Sequence, residues 1–336
     1  MMRFDSVAAF DAALAELPAP DAAMRAAAAA RQARLTKPAG SLGRLEEIAL
    51  FMAAWQRDPR PRLDDGRVVI FAGNHGVAAR GVSAFPPAVT AQMVANFREG
   101  GAAINALAAA AGLSLTVVPL ALDQPTGDIT NEPAMSEAEC LDALDAGAAA
   151  VRPGTDLLIP GDMGIGNTTP AAALCAASFG GRAADWVGPG TGVHGAALAA
   201  KIAAVDATLA CHADATTPFE RLRRLGGREI AAIAGAILAA RHARIPVLLD
   251  GFIVGAALAP LAAARPRIVD HCLAGHVSAE PGHARLLDRL GLAPLLRLDM
   301  RLGEASGAAV AAGLVRAALA AHDQMATFDQ AGVAKA

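Results

Sequence analysis

The sequence predicts an α/β protein, a parallel sheet with helices on both faces, joined to a small helical domain. Three observations lead there. Short apolar runs, several rich in β-branched residues, recur between Val68 and His271. Alanine-rich segments of helical length separate them, and each run ends in a glycine, an aspartate or a polar loop. A strand that is apolar throughout is covered on both faces, and strands alternating with helices are parallel.

The elements follow in order. The segment up to about Trp55 is helical in pattern. RDPRPRLDDG, Arg57 to Gly66, is charged and proline-rich and marks a boundary. The strand series is VVIFAG (Val68 to Gly73), LTVVPL (Leu115 to Leu120), DLLIPGD (Asp156 to Asp162), DWVG (Asp185 to Gly188), PVLLDG (Pro246 to Gly251) and RIVDH (Arg267 to His271). Gly100 to Leu122 carries no charge and is long enough to span a bilayer. Asn105 interrupts it and Gly112 is placed to cap a helix, so it reads as a buried helix followed by a strand. Ser136 to Glu139 is S-x-x-E, a capping box for a helix through Val151. After Met300 the pattern is helical again. No internal repeat is visible. Residues 1–66 with 300–336 make the small helical domain, and 67–299 the α/β domain.

Composition narrows the function classes. At 336 residues the chain allows about two domains. With 54% hydrophobic and 18% charged residues it is no disordered chain. Net charge −3 argues against a broad grip on nucleic acid, and 4% aromatics with no Tyr removes base-stacking platforms. Alanine, roughly a quarter of the residues, inflates the hydrophobic fraction without adding much core volume. Asp5 and Asp11 break the opening apolar stretch, so no secretion signal and no membrane anchor is read there. Cys140, Cys175, Cys211 and Cys272 form no CxxC, which fits a reducing cytoplasm rather than a zinc ribbon or disulfide framework.

Open parallel sheets bind ligands at the carboxyl ends of their strands. That rule selects GNHGV, GDMGIGNTTP, GPGTGVHG, DGFIVG and HCLAGHVSAEPGH. In GDMGIGNTTP, Gly161, Gly164 and Gly166 permit close backbone approach, and Asn167, Thr168 and Thr169 lead into a helix start that Pro170 suits. A glycine turn feeding a helix N-terminus binds anions, but no Walker lysine follows. Lys201, after GPGTGVHG, either reaches back to a phosphate or is solvated. Glu304, placed in the first turn of the last helix, is either a dipole carboxylate or a general base. His271, His276 and His283 match no zinc spacing and read as loop-fixing. The stretch Phe71 to Ala108, with Asn74, His75, Ser83, Gln92 and Met93, is either a surface connection or the lining of a pocket for a flat heterocycle.

Taken together, KPAGSLGRLE, FAGNHGV, GVSAFPPAVTAQM, NFREGGAAINALA, GDMGIGNTTPAAA, GPGTGV, GGREIAAIAGAILAA, IPVLLDGFIVGAA, HCLAGHVSAEPGHARLLDRL and MRLGEASGAA resemble the nicotinate-nucleotide:dimethylbenzimidazole phosphoribosyltransferases of cobalamin lower-ligand assembly. They run in order from Lys37 to Ala309. The resemblance implies a Rossmann-like sheet plus a small domain from both termini. It also implies a cytoplasmic homodimer whose partner helps close each site. The implied reaction moves phosphoribosyl from nicotinate mononucleotide to dimethylbenzimidazole with inversion, giving α-ribazole phosphate and nicotinate. The pyridinium leaving group needs no metal, and neither metal nor cofactor is expected.

Residue by residue, the resemblance assigns Glu304 as general base and Asp162 as the acid preceding the phosphate loop. It assigns Gly164, Gly166, Asn167, Thr168, Thr169 and Lys201 to the phosphate. Ser83, Gln92, Met93, Met163, Leu302 and Gly303 fall in the base pocket. Three positions depart from the family pattern: Asn74 replaces an aspartate, Asp162 a frequent glutamate and Ala305 a usual glycine. They leave purine and phenolic acceptors open. A non-catalytic phosphosugar-binding module, which needs the glycine loops but not Glu304, is the competing reading.

Overall fold

The computed structural model describes residues 2–190 and 192–334; Met1, Thr191 of the GPGTGVHG loop, Lys335 and Ala336 lie outside the described residues. Three helices open the chain, α1 (Val7–Ala15), α2 (Ala22–Gln32) and α3 (Arg44–Gln56). They lead into β1 (Gly66–Ala72), α4 (Ala88–Glu99), α5 (Ala103–Ala110) and β2 (Ser114–Pro119). Next come α6 (Glu137–Ala150), β3 (Leu157–Met163), α7 (Thr168–Phe179), α8 (Ala196–Cys211), α9 (Pro218–Leu225), α10 (Arg228–Ala243) and β4 (Val247–Leu249). The chain continues through α11 (Phe252–Ala264), β5 (Cys272–Val277), α12 (Pro281–Leu290), β6 (Pro294–Arg297), α13 (Ser306–Gln324) and α14 (Phe328–Ala331).

The strands form one sheet in the order β2-β1-β3-β4-β5-β6, every pair parallel. Alternation along β1 shows why both faces need helices. Val69 and Phe71 join the apolar cluster under α6, α7, α10 and α11, whereas Val68, Ile70 and Ala72 join the one under α3, α5 and α13. The chain runs outward from β1 to β2 and then crosses back to lay β3 on the other side of β1. The topological switch therefore lies between the carboxyl ends of β1 and β3, a favoured ligand-binding crevice.

Alanine explains the thickness of the helical layer. Every described residue of α10 from Arg228 to Arg241 is buried, and so are most of α7 and α11. Helices covered on all sides need small side chains to lie close. At the α6–α10 crossing a Cβ on Gly147 would come within 1.8 Å of the Ala232 carbonyl oxygen, so only glycine fits. The capping box at Ser136 and Glu139 forms as read. No described helix is long and apolar enough to cross a membrane. Gly100 to Leu122 holds the C-cap of α4, then α5 and β2. α5 buries only Ile104 and Ala108 and so is a half-exposed helix rather than the buried one expected, and β2 is a half-exposed edge strand.

The terminal segments meet. Arg31 donates to the carbonyl of His322 at 2.8 Å, and Leu35 bridges Thr327. α13 also lies directly on the sheet, with Ala308, Ala312 and Val315 in the same cluster as Ile159 and Leu248. The 66/300 boundary does not coincide with a break in the core.

Two strand readings are corrected. DWVG is not a strand: a 3₁₀ turn spans Ala183–Asp185, pinned by Asp185 accepting from the Arg182 amide, and Trp186 buries its ring. RIVDH is a 3₁₀ turn within Pro266–His271, because Pro266 presets a helical start. The strand is the following CLAGHV, taken above for a loop. Its small residues accommodate α13, whose Ala308 lies against Gly275. β6, a four-residue edge strand, escaped notice.

Candidate active site

The carboxyl ends of β3, β4, β5 and β6 converge on one cavity of about 80 Å³. Its lining includes Asp162, Asn167 and Thr168 after β3, Gly251 to Ile253 after β4, and His276, Ser278 and Glu280 from β5 onward. Gly190 and Arg301 to Gly303 complete it. Four helices, α7, α11, α12 and α13, begin along this edge. In none does the N-cap residue's own side chain cap the end, and α13 alone has a first-turn amide, Ala308 N, bonded to a side chain, Asp250 Oδ1 at 2.8 Å. Uncapped N–H groups and converging positive dipole ends suit an anionic ligand. A larger hollow, about 730 Å³, lies at the opposite edge of the sheet between Trp55, Val151, Asp156 and Ile245. It gathers no comparable set of acids and helix starts.

Asp162 and Glu304 are both buried. Asp162 Oδ2 accepts from the Asn167 amide at 2.9 Å, while Oδ1 has no partner. Burial, reinforced by the nearby Asp250 carboxylate, pushes Asp162 up to about 8. Burial and the same neighbour push Glu304 up to about 7. Burial thus prevails over any pull from the helix start. Glu304 is not in the first turn of α13 as expected. It precedes the helix, with φ +62° followed by Ala305 at +67°. Two consecutive non-glycine residues in the left-handed region are strained, and such strain clusters at functional sites. The Ala305 backbone and Cβ lie over Gly161 of β3, where a side chain would come within 2.9 Å, so the strained turn fits only because residue 161 is glycine.

Lys201 is buried rather than solvated. Its ammonium donates to Thr168 Oγ1 at 2.7 Å and to the Gly188 carbonyl at 2.9 Å, joining the two glycine loops. One of its three N–H groups is left for a ligand. Burial lowers it to about 8, opposed by Glu280. Burial raises the Glu280 carboxyl, with Lys201 opposing. GPGTGVHG follows α7 and a 3₁₀ turn, not a strand, yet Lys201 brings it to the start of α7. Thr169 is fully buried, and its hydroxyl has no hydrogen-bond partner.

Of the residues assigned to the base pocket, Leu302 and Gly303 border the cavity. Ser83, Gln92, Met93 and Met163 do not. Met93 packs on the apolar cluster that contains Met163, Ile165 and Ala305, Ser83 accepts from the Phe85 amide, and Gln92 is exposed on α4. Thr90, not singled out from sequence, accepts from Ile165 N at 3.2 Å and ties α4 to the loop after β3. Asn74 does not face the cavity. Its amide donates to the Leu122 carbonyl at 2.8 Å.

The histidines span three elements, not one loop. His271 packs edge-on against Trp55 and bonds the Ile237 carbonyl, far along β5 from the site. His276 is on β5 with Nε2 3.5 Å from Asp250, and His283 Nδ1 accepts from the Ser278 amide at 2.9 Å. Asp250, Glu280 and Arg301 escaped the residue-by-residue reading, and His276, read as loop-fixing, lies on a strand. Asp250 carried a signal, since it ends PVLLDG at a strand's carboxyl end.

A family model described as phosphoribosyltransferase matches residues 17–333. The nicotinate-nucleotide–dimethylbenzimidazole phosphoribosyltransferase of Novosphingobium aromaticivorans is 67% identical over 335 residues, 99% of each chain. That of Rhizobium etli is 60% identical over 325 residues, 96% of each. The crystal structure of CobT from Thermus thermophilus superposes with a TM-score of 0.89 at 44% identity, covering 94% of this chain and 100% of that one. A parallel sheet whose switch-point edge gathers uncapped helix starts, a buried lysine and raised carboxylates is the setting in which these matches fall, and the chain belongs to the nicotinate-nucleotide–dimethylbenzimidazole phosphoribosyltransferase family.

Proposed function

We propose that the protein transfers the phosphoribosyl group of nicotinate mononucleotide to dimethylbenzimidazole, giving α-ribazole phosphate and nicotinate for the nucleotide loop of cobalamin. The main support is that the cavity is lined by the start of α7, whose Thr168 holds the buried Lys201 ammonium, and by Gly303, which directly precedes a buried carboxylate raised to about 7, although neither Lys201 nor Glu304 itself lines the cavity. In this reading the phosphate sits at the start of α7, held by Gly164, Gly166, Thr168 and Lys201. A benzimidazole nitrogen attacks C1 of the ribose. The bond from C1 to the pyridinium nitrogen breaks, and its electron pair neutralises that nitrogen. Attack on the face opposite the leaving group inverts the centre and gives the α product. Glu304 accepts the proton from the second benzimidazole nitrogen. A base near its operating pH is efficient, and such transfer contributes about 10²–10⁴-fold. Asp162, protonated near neutrality, keeps Asn167 in place and offers Oδ1 to a ribose hydroxyl.

The family resemblance implies a homodimer whose partner covers the site, and Leu302, 55% exposed at the cavity rim, would lie under that partner. Four free cysteines accord with the cytoplasm. The 1–66 and 300–336 segments act together as the helical part of each subunit. Because Asn74 and Ala305 are turned away from the cavity, Asp162 is the departure that bears on acceptor choice.

The test is acceptor dependence. Nicotinate is expected to leave the mononucleotide only when dimethylbenzimidazole is present, with one α-ribazole phosphate formed per nicotinate. Purines and phenols supplied in its place rank the acceptors. Equal nicotinate release without any acceptor would reject transfer. Light scattering is expected to give twice the chain mass, and a fully active monomer would reject the shared site.

A further inference from the structure

Between the carboxyl ends of β1 and β3, His75 Nε2 lies 2.6 Å from Glu229 Oε1, the two side chains 1% and 0% exposed. The carboxylate accepts, so Nε2 carries the proton. Neither residue borders the cavity. Their other polar atoms, His75 Nδ1 and Glu229 Oε2, have no hydrogen-bond partner. Two buried polar atoms left unpaired are costly, and an apolar pair would pack without that cost.

The pair is wedged among three glycine turns. A Cβ on Gly73, after β1, would come within 2.6 Å of Glu229 Oε2. One on Gly227, before α10, would come within 2.2 Å of His75 Cε1. One on Gly164, in the loop after β3, would lie 2.9 Å from Glu229 Oε1 and 3.2 Å from His75 Nε2. Gly164 O in turn accepts from Asn167 N at 3.1 Å, the turn that aims the start of α7. On its far side, Gly166 packs on Ala78 and Val82, just beyond His75. Glu229 itself sits in the first turn of α10, where the helix dipole favours its charge.

We propose that His75 and Glu229 are positioning residues for the phosphoribosyl donor, a hydrogen-bonded wedge that fixes the glycine turn after β3 and so the N–H groups that meet the phosphate. This rests on the functional reading above. The wedge touches the turn after β3 and not Glu304, so its effect is expected on the donor first.

The experiment compares steady-state constants of the full-length enzyme for both substrates, with the melting temperature of each variant. Glu229→Gln keeps an acceptor oxygen, and Glu229→Ala does not. Glu229→Ala is expected to raise KM for nicotinate mononucleotide tenfold or more, leaving KM for dimethylbenzimidazole within twofold, while Glu229→Gln stays within threefold on both. Where Glu229→Ala fails to fold, His75→Gln, whose amide replaces Nε2, and His75→Asn, which cannot, give the same comparison. Donor and acceptor KM shifting together, or Gln and Ala variants behaving alike, would overturn the proposal. No transfer by the wild type would instead reject the functional reading.

Discussion

The two edges of the sheet bury charge in opposite ways. At the amino edge, each buried charged group meets an oppositely charged, aromatic or backbone partner, even though Arg241 Nε and Nη1 make no hydrogen bond. Arg241 lies over the Trp55 ring at 4.4 Å and bonds Asp270 at 3.4 Å, and Asp156 accepts from the amides of Asp64 and Asp65 at 2.8 and 2.9 Å. At the carboxyl edge, Asp162, Asp250 and Glu304 share a neighbourhood, and the buried cation, Lys201, is committed to Thr168 and Gly188. One edge spends its polar groups on holding strands and helices together. The other holds Asp162, Glu304 and Lys201 shifted toward neutrality, the condition in which they can exchange protons and bind anions.

The contrast can be broken from either side. Trp55→Ala removes the buried ring that carries Arg241 and His271. It is expected to cost about 3–5 kcal/mol of stability in denaturant titration while kcat of the folded enzyme stays within twofold. Lys201→Met, which keeps the buried stem, is expected to cost on the order of 1.5–3 kcal/mol of donor binding, read as about a 10- to 100-fold rise in KM for the mononucleotide. KM for dimethylbenzimidazole should hold, and nicotinate riboside, lacking the phosphate, should be nearly indifferent.

Asp250→Asn is the subtlest change. Asp250 raises both Asp162 and Glu304 by like charge. The asparagine can still accept from the Ala308 amide, as Asp250 Oδ1 does at 2.8 Å. The acid limb of kcat/KM should therefore move to lower pH, and a limb that stays put would remove Asp250 from the cluster.

Stability offers an independent check on Glu304. Its folded value, about 7, lies above the ordinary 4.5, so the folded state binds more protons between those limits. Its contribution is present below pH 4.5 and is lost as pH rises through 7. Glu304→Gln should accordingly raise the melting temperature at about pH 8 and leave it little changed at about pH 4.

How much of this was legible in the sequence depended on chemistry. β1, β3 and β4 were found because nothing in VVIF, DLLI or VLL competes with a buried strand. β5 was hidden because CLAGHV had to stay small beneath α13, and RIVDH, which looks more strand-like, is diverted by Pro266. The GDMGIGNTTP turn into α7 was legible as a turn because glycines feeding a helix start have few other uses. The role proposed for Glu304 came only by resemblance, since its left-handed backbone and its burial near Asp250 depend on the folded chain. Asp250, Glu280 and the His75–Glu229 wedge depend on contacts between elements far apart in the chain, which spacing cannot show.

The central claim is that Glu304, raised by burial, takes the acceptor's proton. The direct measurement is the pH dependence of kcat/KM for transfer to dimethylbenzimidazole in the wild type and in Glu304→Gln. Because Asp162, Asp250 and Glu304 are coupled, the wild-type limb reports the set. The profile is expected to rise with an apparent pKa near 7 and to fall again above about 8 as Lys201 loses its charge. The variant should bind the mononucleotide as before, lose about 10²-fold or more in kcat and lack the rising limb. A variant that keeps wild-type kcat, or keeps the limb at the same pH, would contradict the account.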